Sequence, residues 1–184
     1  MRARRILIFA LASTLTSTAI SLASTPALAG IPAGRFAVGD SVMLGAREEL
    51  RARGFVVDAA ESRRYADAAP IVRRRAANGH LPLNVIVHLG TNGLLEGIDC
   101  DHVVRATGAR RHVFLVTLKV PRPYREPNNA RLRACASRHD NASVIDWYAY
   151  SRHHSAWFYG DGFHLTSSGQ QAYAAFIDAS VDAD

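Results

Sequence analysis

The feature that most constrains this chain is a series of short, continuous apolar runs separated by segments of helical spacing. Phe36-Ala37-Val38 ends at Gly39, and Phe55-Val56-Val57 follows Gly54. Leu83 to Leu89 is interrupted only by Asn84 and His88. Val113 to Val120 stops at Pro121 and Pro123, and Val144-Ile145 is a short fifth run. Runs that are apolar throughout, rather than alternating, predict strands buried on both faces of a parallel sheet. Between them, Val42 to Arg53 places Val42, Met43, Ala46 and Leu50 at helical spacing and stops at Gly54. Further helices are predicted over Ala66 to Ala77 (with Pro70 in its first turn), Ile98 to Thr107, Asn129 to Arg138 and Ser167 to Ala179. Strands alternating with helices predict an α/β fold with a five-stranded parallel sheet covered on both sides. Right-handed crossovers then gather the strand C-termini along one sheet edge, where chemistry is expected.

Residues 1–29 stand apart from this pattern. Arg2, Arg4 and Arg5 precede the apolar stretch Ile6 to Ala12, and Ala27-Leu28-Ala29 is a small-x-small cleavage signature before Gly30. This is the pattern of a secretory signal peptide, with residues 30–184 as one domain. The alternative is an uncleaved anchoring helix. The whole chain of 184 residues has a formal charge of +6. Without the three leader arginines it carries 19 basic against 16 acidic residues, a net of +3. That balance is weak support for nucleic-acid binding through Arg73 to Arg75 and Arg110-Arg111, which read as solvated surface. Loose association with an anionic cell wall stays open, and residues 30–184 hold no apolar run of membrane-spanning length. In an oxidising compartment, Cys100 and Cys135 are expected to form a disulfide, the alternative being two buried thiols.

Three segments at the expected sheet edge carry reactive groups. Gly39-Asp40-Ser41 follows the first strand and sets Ser41 at a helix N-terminus, where free backbone N–H groups meet a developing oxyanion. On its own, Ser41 would equally be a helix cap. Gly90-Thr91-Asn92-Gly93 follows the third strand, and Asn92 can aim an amide N–H at the same oxyanion. Alone it would be an Asn-Gly turn. Asp161-Gly162-Phe163-His164 precedes the last helix. His164 suits a general base for a serine hydroxyl, and Asp161 can reach around the turn to orient it. A metal pair of Asp161 and His164 with His153 or His154 lacks a supporting ligand motif, so no metal or other cofactor is expected.

The chain order Ser41, Asn92, Asp161, His164 resembles that of the SGNH, or GDSL, hydrolase superfamily. Within it, Val38-Gly-Asp-Ser-Val-Met-Leu-Gly45, Val87-His-Leu-Gly-Thr-Asn-Gly93, Val120-Pro-Arg-Pro123, Asp146-Trp147 and Asp161-Gly-Phe-His-Leu-Thr166 look like the extracytoplasmic SGNH domains of bacterial acyltransferases. The resemblance implies a flavodoxin-like three-layer α/β/α sandwich. It implies Ser41 as nucleophile, Asp161 and His164 as its partners, and Asn92 in the oxyanion hole. Gly93 stands where the superfamily's third motif commonly has Asp, a change that the acyltransferase-type domains share. The second motif supplies a Gly N–H to the oxyanion hole. The corresponding stretch here, Ala60-Glu61-Ser62-Arg63-Arg64, has no Gly, and Ser62 is the candidate to replace it.

The resemblance implies a secreted serine esterase that removes small acyl groups, acetyl above all, from a cell-envelope glycan. Its partner would be an acylated carbohydrate or another small ester. The alternatives are a stand-alone O-acyltransferase, which uses the same groups, and a catalytically silent glycan- or protein-binding module on the same fold. Arg122, after the fourth strand, is a candidate substrate contact. Trp147, Trp157, Phe158 and Tyr159 are either sugar-stacking residues or core and loop anchors.

Overall fold

A computed structural model describes residues 34–183; the leader pattern of residues 1–29 lies outside the described residues. Five parallel strands run β1 (Arg35–Gly39), β2 (Phe55–Ala59), β3 (Asn84–His88), β4 (His112–Val116) and β5 (Ala142–Ile145). Their spatial order is β2-β1-β3-β4-β5, with β1 paired to both β2 and β3. This is the flavodoxin-like order, and the connection direction reverses between β1 and β3. A crevice opens at such a reversal beyond the strand C-termini, and Ser41 and Asn92 follow those two strands.

The helices are α1 (Ser41–Gly45), α2 (Arg47–Arg51), α3 (Ala68–Ala77), α4 (Asp99–Thr107), α5 (Arg125–Ala136), α6 (Trp147–Ser151) and α7 (Ser167–Asp182). Side chains alternate between the sheet faces. Ala37, Ile86 and Phe114 pack with Met43, Leu50, Trp147 and Tyr173 on one side. Phe36, Val38, Val85 and Val87 pack with Val72, Val103 and Leu132 on the other. Three layers result, as the apolar runs require.

Several boundaries differ from the sequence expectation, each for a local reason. The helix expected over 42–53 is two short ones, because the chain steps at Ala46, whose φ of −93° and ψ of 12° leave the helical region. Tyr65–Asp67 is a 3₁₀ turn ahead of α3, in which Pro70 occupies the first turn, where its missing N–H costs nothing. The apolar run to Val120 outlasts β4. Beyond Val116 the Asn129 side chain takes over the work of a neighbouring strand, accepting from the Leu118 N–H at 2.7 Å and donating to its carbonyl at 3.0 Å. Helix α5 starts four residues early and admits Pro127 in its first turn.

The cysteine expectation is met by a Cys100–Cys135 disulfide joining α4 to α5. The basic runs have structural uses: Arg75 lies over the Phe36 ring at 4.4 Å, and Arg111 donates to the carbonyls of Leu81 and Thr107. Among the described residues, no helix is long and apolar enough to cross a membrane.

Candidate active site

Ser41 is the first residue of α1. Asp40, fully buried, caps that helix by accepting from the Val42 N–H at 3.1 Å. Its other oxygen accepts from the Thr91 hydroxyl at 2.6 Å, so one carboxylate ties the loop after β1 to the loop after β3. Gly39 leaves room for the turn, since a Cβ there would fall 2.4 Å from Met43 Cβ. The second loop is fixed from α5: Asn128 donates to the carbonyls of Gly90 and Gly93 and accepts from the Leu95 N–H. Gly90 has φ 118°, and a Cβ there would strike Leu95 and Leu118.

Between the last two helices, the Asp161 to His164 turn folds back on itself. Asp161 Oδ1 accepts from the Phe163 and His164 N–H groups, both at 3.0 Å. Oδ2 lies 2.6 Å from His164 Nδ1. Partial burial pushes the Asp161 carboxyl up, but the hydrogen bonds from the Phe163 N–H and the His164 ring outweigh it, and the pKa is lowered. The ionised carboxylate only accepts, which puts the imidazole proton on Nδ1. Nε2 then presents a lone pair to the Ser41 hydroxyl 2.9 Å away. Lys119, over the Phe158 ring at 4.1 Å, donates to the Gly162 carbonyl and tethers this turn to the chain beyond β4. Gly169 lets α7 begin tight against the Trp157 carbonyl, where a Cβ would approach to 2.0 Å.

Ser41, Ser62, Asn92, Phe163 and His164 line one cavity of about 470 Å³ with Leu44, Gly45 and Glu61. Ser62 is the only non-glycine with positive φ among the described residues, at 56°. A non-glycine residue thus adopts the left-handed conformation that glycine enters at no steric cost. Asn92 Nδ2 donates to the Arg63 carbonyl at 3.1 Å. Arg63 in turn donates to the Gly39 carbonyl and to Asp58, clamping the Ser62 loop to the ends of β1 and β2.

Of the other candidates, Arg122 is exposed and outside this cavity. Trp147 and Phe158 are core residues, Trp157 stacks on His154 at 3.9 Å, and Tyr159 is exposed beside the Asp161 turn. Sequence reasoning missed Asp40, Arg63, Lys119 and Asn128. Asp40 stood inside the quoted Gly-Asp-Ser motif, and that was its one available signal.

The motif order, together with similarity to known proteins, marks the class: an SGNH/GDSL-superfamily domain. No protein-family model matches the chain. It is similar to the C-terminal catalytic domain of Streptococcus pneumoniae peptidoglycan O-acetyltransferase A, solved with a methylsulfonyl adduct, at a TM-score of 0.76 and 26% identity. That match covers 84% of this chain and 95% of that domain. The peptidoglycan O-acetyltransferase OatA of Listeria monocytogenes is 34% identical over 153 residues, 79% of this chain. The chain spans about a quarter of the length of that relative, 24%. A GDSL-like lipase from Bacteroides thetaiotaomicron shares the fold at a TM-score of 0.63 and 16% identity, covering 80% of this chain and 87% of that one. Within the superfamily, the likeness is to the SGNH domains of bacterial peptidoglycan O-acetyltransferases.

Proposed function

We propose that this chain is a serine enzyme that removes small acyl groups, acetyl above all, from a cell-envelope glycan through an acyl-Ser41 intermediate. The observation behind this reading is the Asp161–His164–Ser41 hydrogen-bond relay, opening into a cavity with Asn92 and Ser62. His164 Nε2 takes the Ser41 proton as Oγ attacks the ester carbonyl carbon. The carbonyl oxygen becomes an oxyanion and accepts from the N–H groups of Ser41 and Ser62 and from the free amide hydrogen of Asn92. Each such donor supplies about 2.7–4 kcal/mol in the transition state. The oxyanion collapses, the C–O bond to the alcohol breaks, and His164 returns its proton to the leaving oxygen. Water, deprotonated by His164, then attacks the acyl-Ser41 carbon, releasing the acid and restoring Ser41. Asp161 holds the imidazole throughout and offsets its charge when protonated.

Water as acceptor is supported by the openness of the relay, since the His164 and Asp161 side chains are 39% and 41% exposed. The second reading, transfer of the acyl group to a carbohydrate hydroxyl, is favoured by the likeness to O-acetyltransferases. Supplying p-nitrophenyl acetate with chitotetraose and analysing products by mass spectrometry separates them. Free acetate with unmodified sugar is the hydrolytic outcome; acetylated chitotetraose as the main product would replace it with transfer.

The reading includes export, with residues 1–29 as signal and 30–184 as the hydrolase domain. The arginine-apolar-small pattern and the Cys100–Cys135 disulfide support it. Loose adherence to an anionic wall fits the net of +3, and the exposed Arg122 is a candidate for touching the glycan.

A further inference from the structure

The turn that carries Asp161 and His164 is joined to the body of the domain by few polar contacts. Phe158 and Leu165 form an antiparallel bridge, and residues 159–164 loop out between them. Gly160 and Gly162 flank Asp161, and Gly162 has φ 78°. Glycines leave this backbone more freedom than other residues would. Within the loop, the Tyr159 N–H donates to the His164 carbonyl and the Gly162 N–H to the Tyr159 carbonyl. Among the described residues, two hydrogen bonds join the loop to the rest of the chain. One links His164 Nε2 to the Ser41 hydroxyl, and in the other Lys119 Nζ donates to the Gly162 carbonyl. Phe163 adds a partly buried apolar contact, which attracts but fixes no direction.

The first of those bonds cannot last through the reaction. Once Ser41 Oγ carries the acyl group it has no proton to donate, so its hydrogen bond to His164 is lost. His164 must still stay aimed at the acyl carbon, because it activates the incoming water or alcohol. Lys119 is then the hydrogen-bond tether that remains. Its ammonium lies 4.1 Å from the centroid of the Phe158 ring, a buried side chain at the base of the loop. Partial burial and the neighbouring Arg125 lower the Lys119 pKa, and Asp161 opposes them. Lys119 is not among the residues lining the Ser41 cavity, so it acts on the turn rather than on the substrate.

We propose that Lys119 is a positioning residue that keeps His164 in register while Ser41 is acylated, and so serves the second half of the reaction more than the first. The inference rests on the acyl-Ser41 reading above. Lys119→Met keeps an aliphatic stem and removes the ammonium, and Lys119→Arg restores a cationic donor. Formation and decay of the acetyl adduct are followed by rapid mixing with p-nitrophenyl acetate and intact mass spectrometry. Decay in Lys119→Met should slow about tenfold or more, the scale of one hydrogen bond from a charged donor. Formation should slow by less, and Lys119→Arg should decay at a rate nearer the wild type than Lys119→Met. Equal slowing of the two steps, or wild-type decay in Lys119→Met, would overturn the proposal. A second readout needs no turnover, because Ser41→Ala removes the first bond without acylation. Amide hydrogen exchange at Tyr159, Gly162 and His164, measured by NMR, should stay close to the wild-type rate in Ser41→Ala. It should quicken about tenfold when Lys119→Met is added. Unchanged exchange in the double variant would overturn the tether even if p-nitrophenyl acetate left no adduct, so failure of the acyl chemistry and failure of the tether are told apart.

Discussion

His88 closes β3 at the sheet edge that holds the site, and it is 1% exposed. Its Nδ1 lies 2.8 Å from the Tyr173 hydroxyl, and its Nε2 has no partner among the described residues. Burial lowers its pKa from 6.5 to about 4, against the opposing attraction of Asp40. Above pH 6.5 the imidazole is neutral in both folded and unfolded chains. Between 6.5 and about 4 the unfolded chain takes up a proton that the folded chain refuses, so stability must fall as pH falls. The loss is complete below pH 4, at about 3 kcal/mol. From pH 7 to pH 5 the same titration removes about 2 kcal/mol, a large share of a typical domain's stability. Urea unfolding of the wild type and His88→Gln at pH 7, 6 and 5 reads this directly. Contributions from carboxylates and surface histidines cancel in the difference. The wild type should lose about 2 kcal/mol more than the variant over this range. Parallel profiles would refute the claim that His88 is held neutral by burial.

The left-handed backbone of Ser62 predicts that Ser62→Gly raises stability by about 0.5–1 kcal/mol, the strain relieved less the flexibility gained by the unfolded chain. A lower melting temperature would contradict this. Replacing both Cys100 and Cys135 by Ala should cost about 3–4 kcal/mol in urea unfolding, from the 35-residue separation that the disulfide closes. Asp161→Asn should keep the native circular dichroism spectrum but lower kcat/KM for p-nitrophenyl acetate about 10²–10⁴-fold. A change smaller than tenfold would remove Asp161 from the relay.

The strands were legible because a parallel sheet covered on both faces needs unbroken apolar runs, and few other structures do. Their ends were less so. Nothing in the spelling of Leu118 and Val120 says that an Asn129 side chain replaces the neighbouring strand there. The same limit hid the step at Ala46, a choice made by packing rather than propensity. At the site, Ser41, Asn92, Asp161 and His164 could be read because each chemical role admits few residue types and each follows a strand end or precedes the last helix. The resemblance located Ser62, but only the backbone reveals its left-handed turn. Asp40, Arg63, Lys119 and Asn128 were hidden for a common reason. They act through partners distant in sequence, 51 residues away for Asp40 and Thr91 and 43 for Lys119 and Gly162.

The central claim is that Ser41 becomes acylated. Intact mass spectrometry after rapid mixing with p-nitrophenyl acetate tests it most directly, beside a folded Ser41→Ala control and with p-nitrophenol release followed in parallel. The account predicts nitrophenol release and an acetyl adduct on the wild type, with neither in Ser41→Ala. Equal release by both proteins, or an adduct mapped by peptide digestion to another residue, would contradict it.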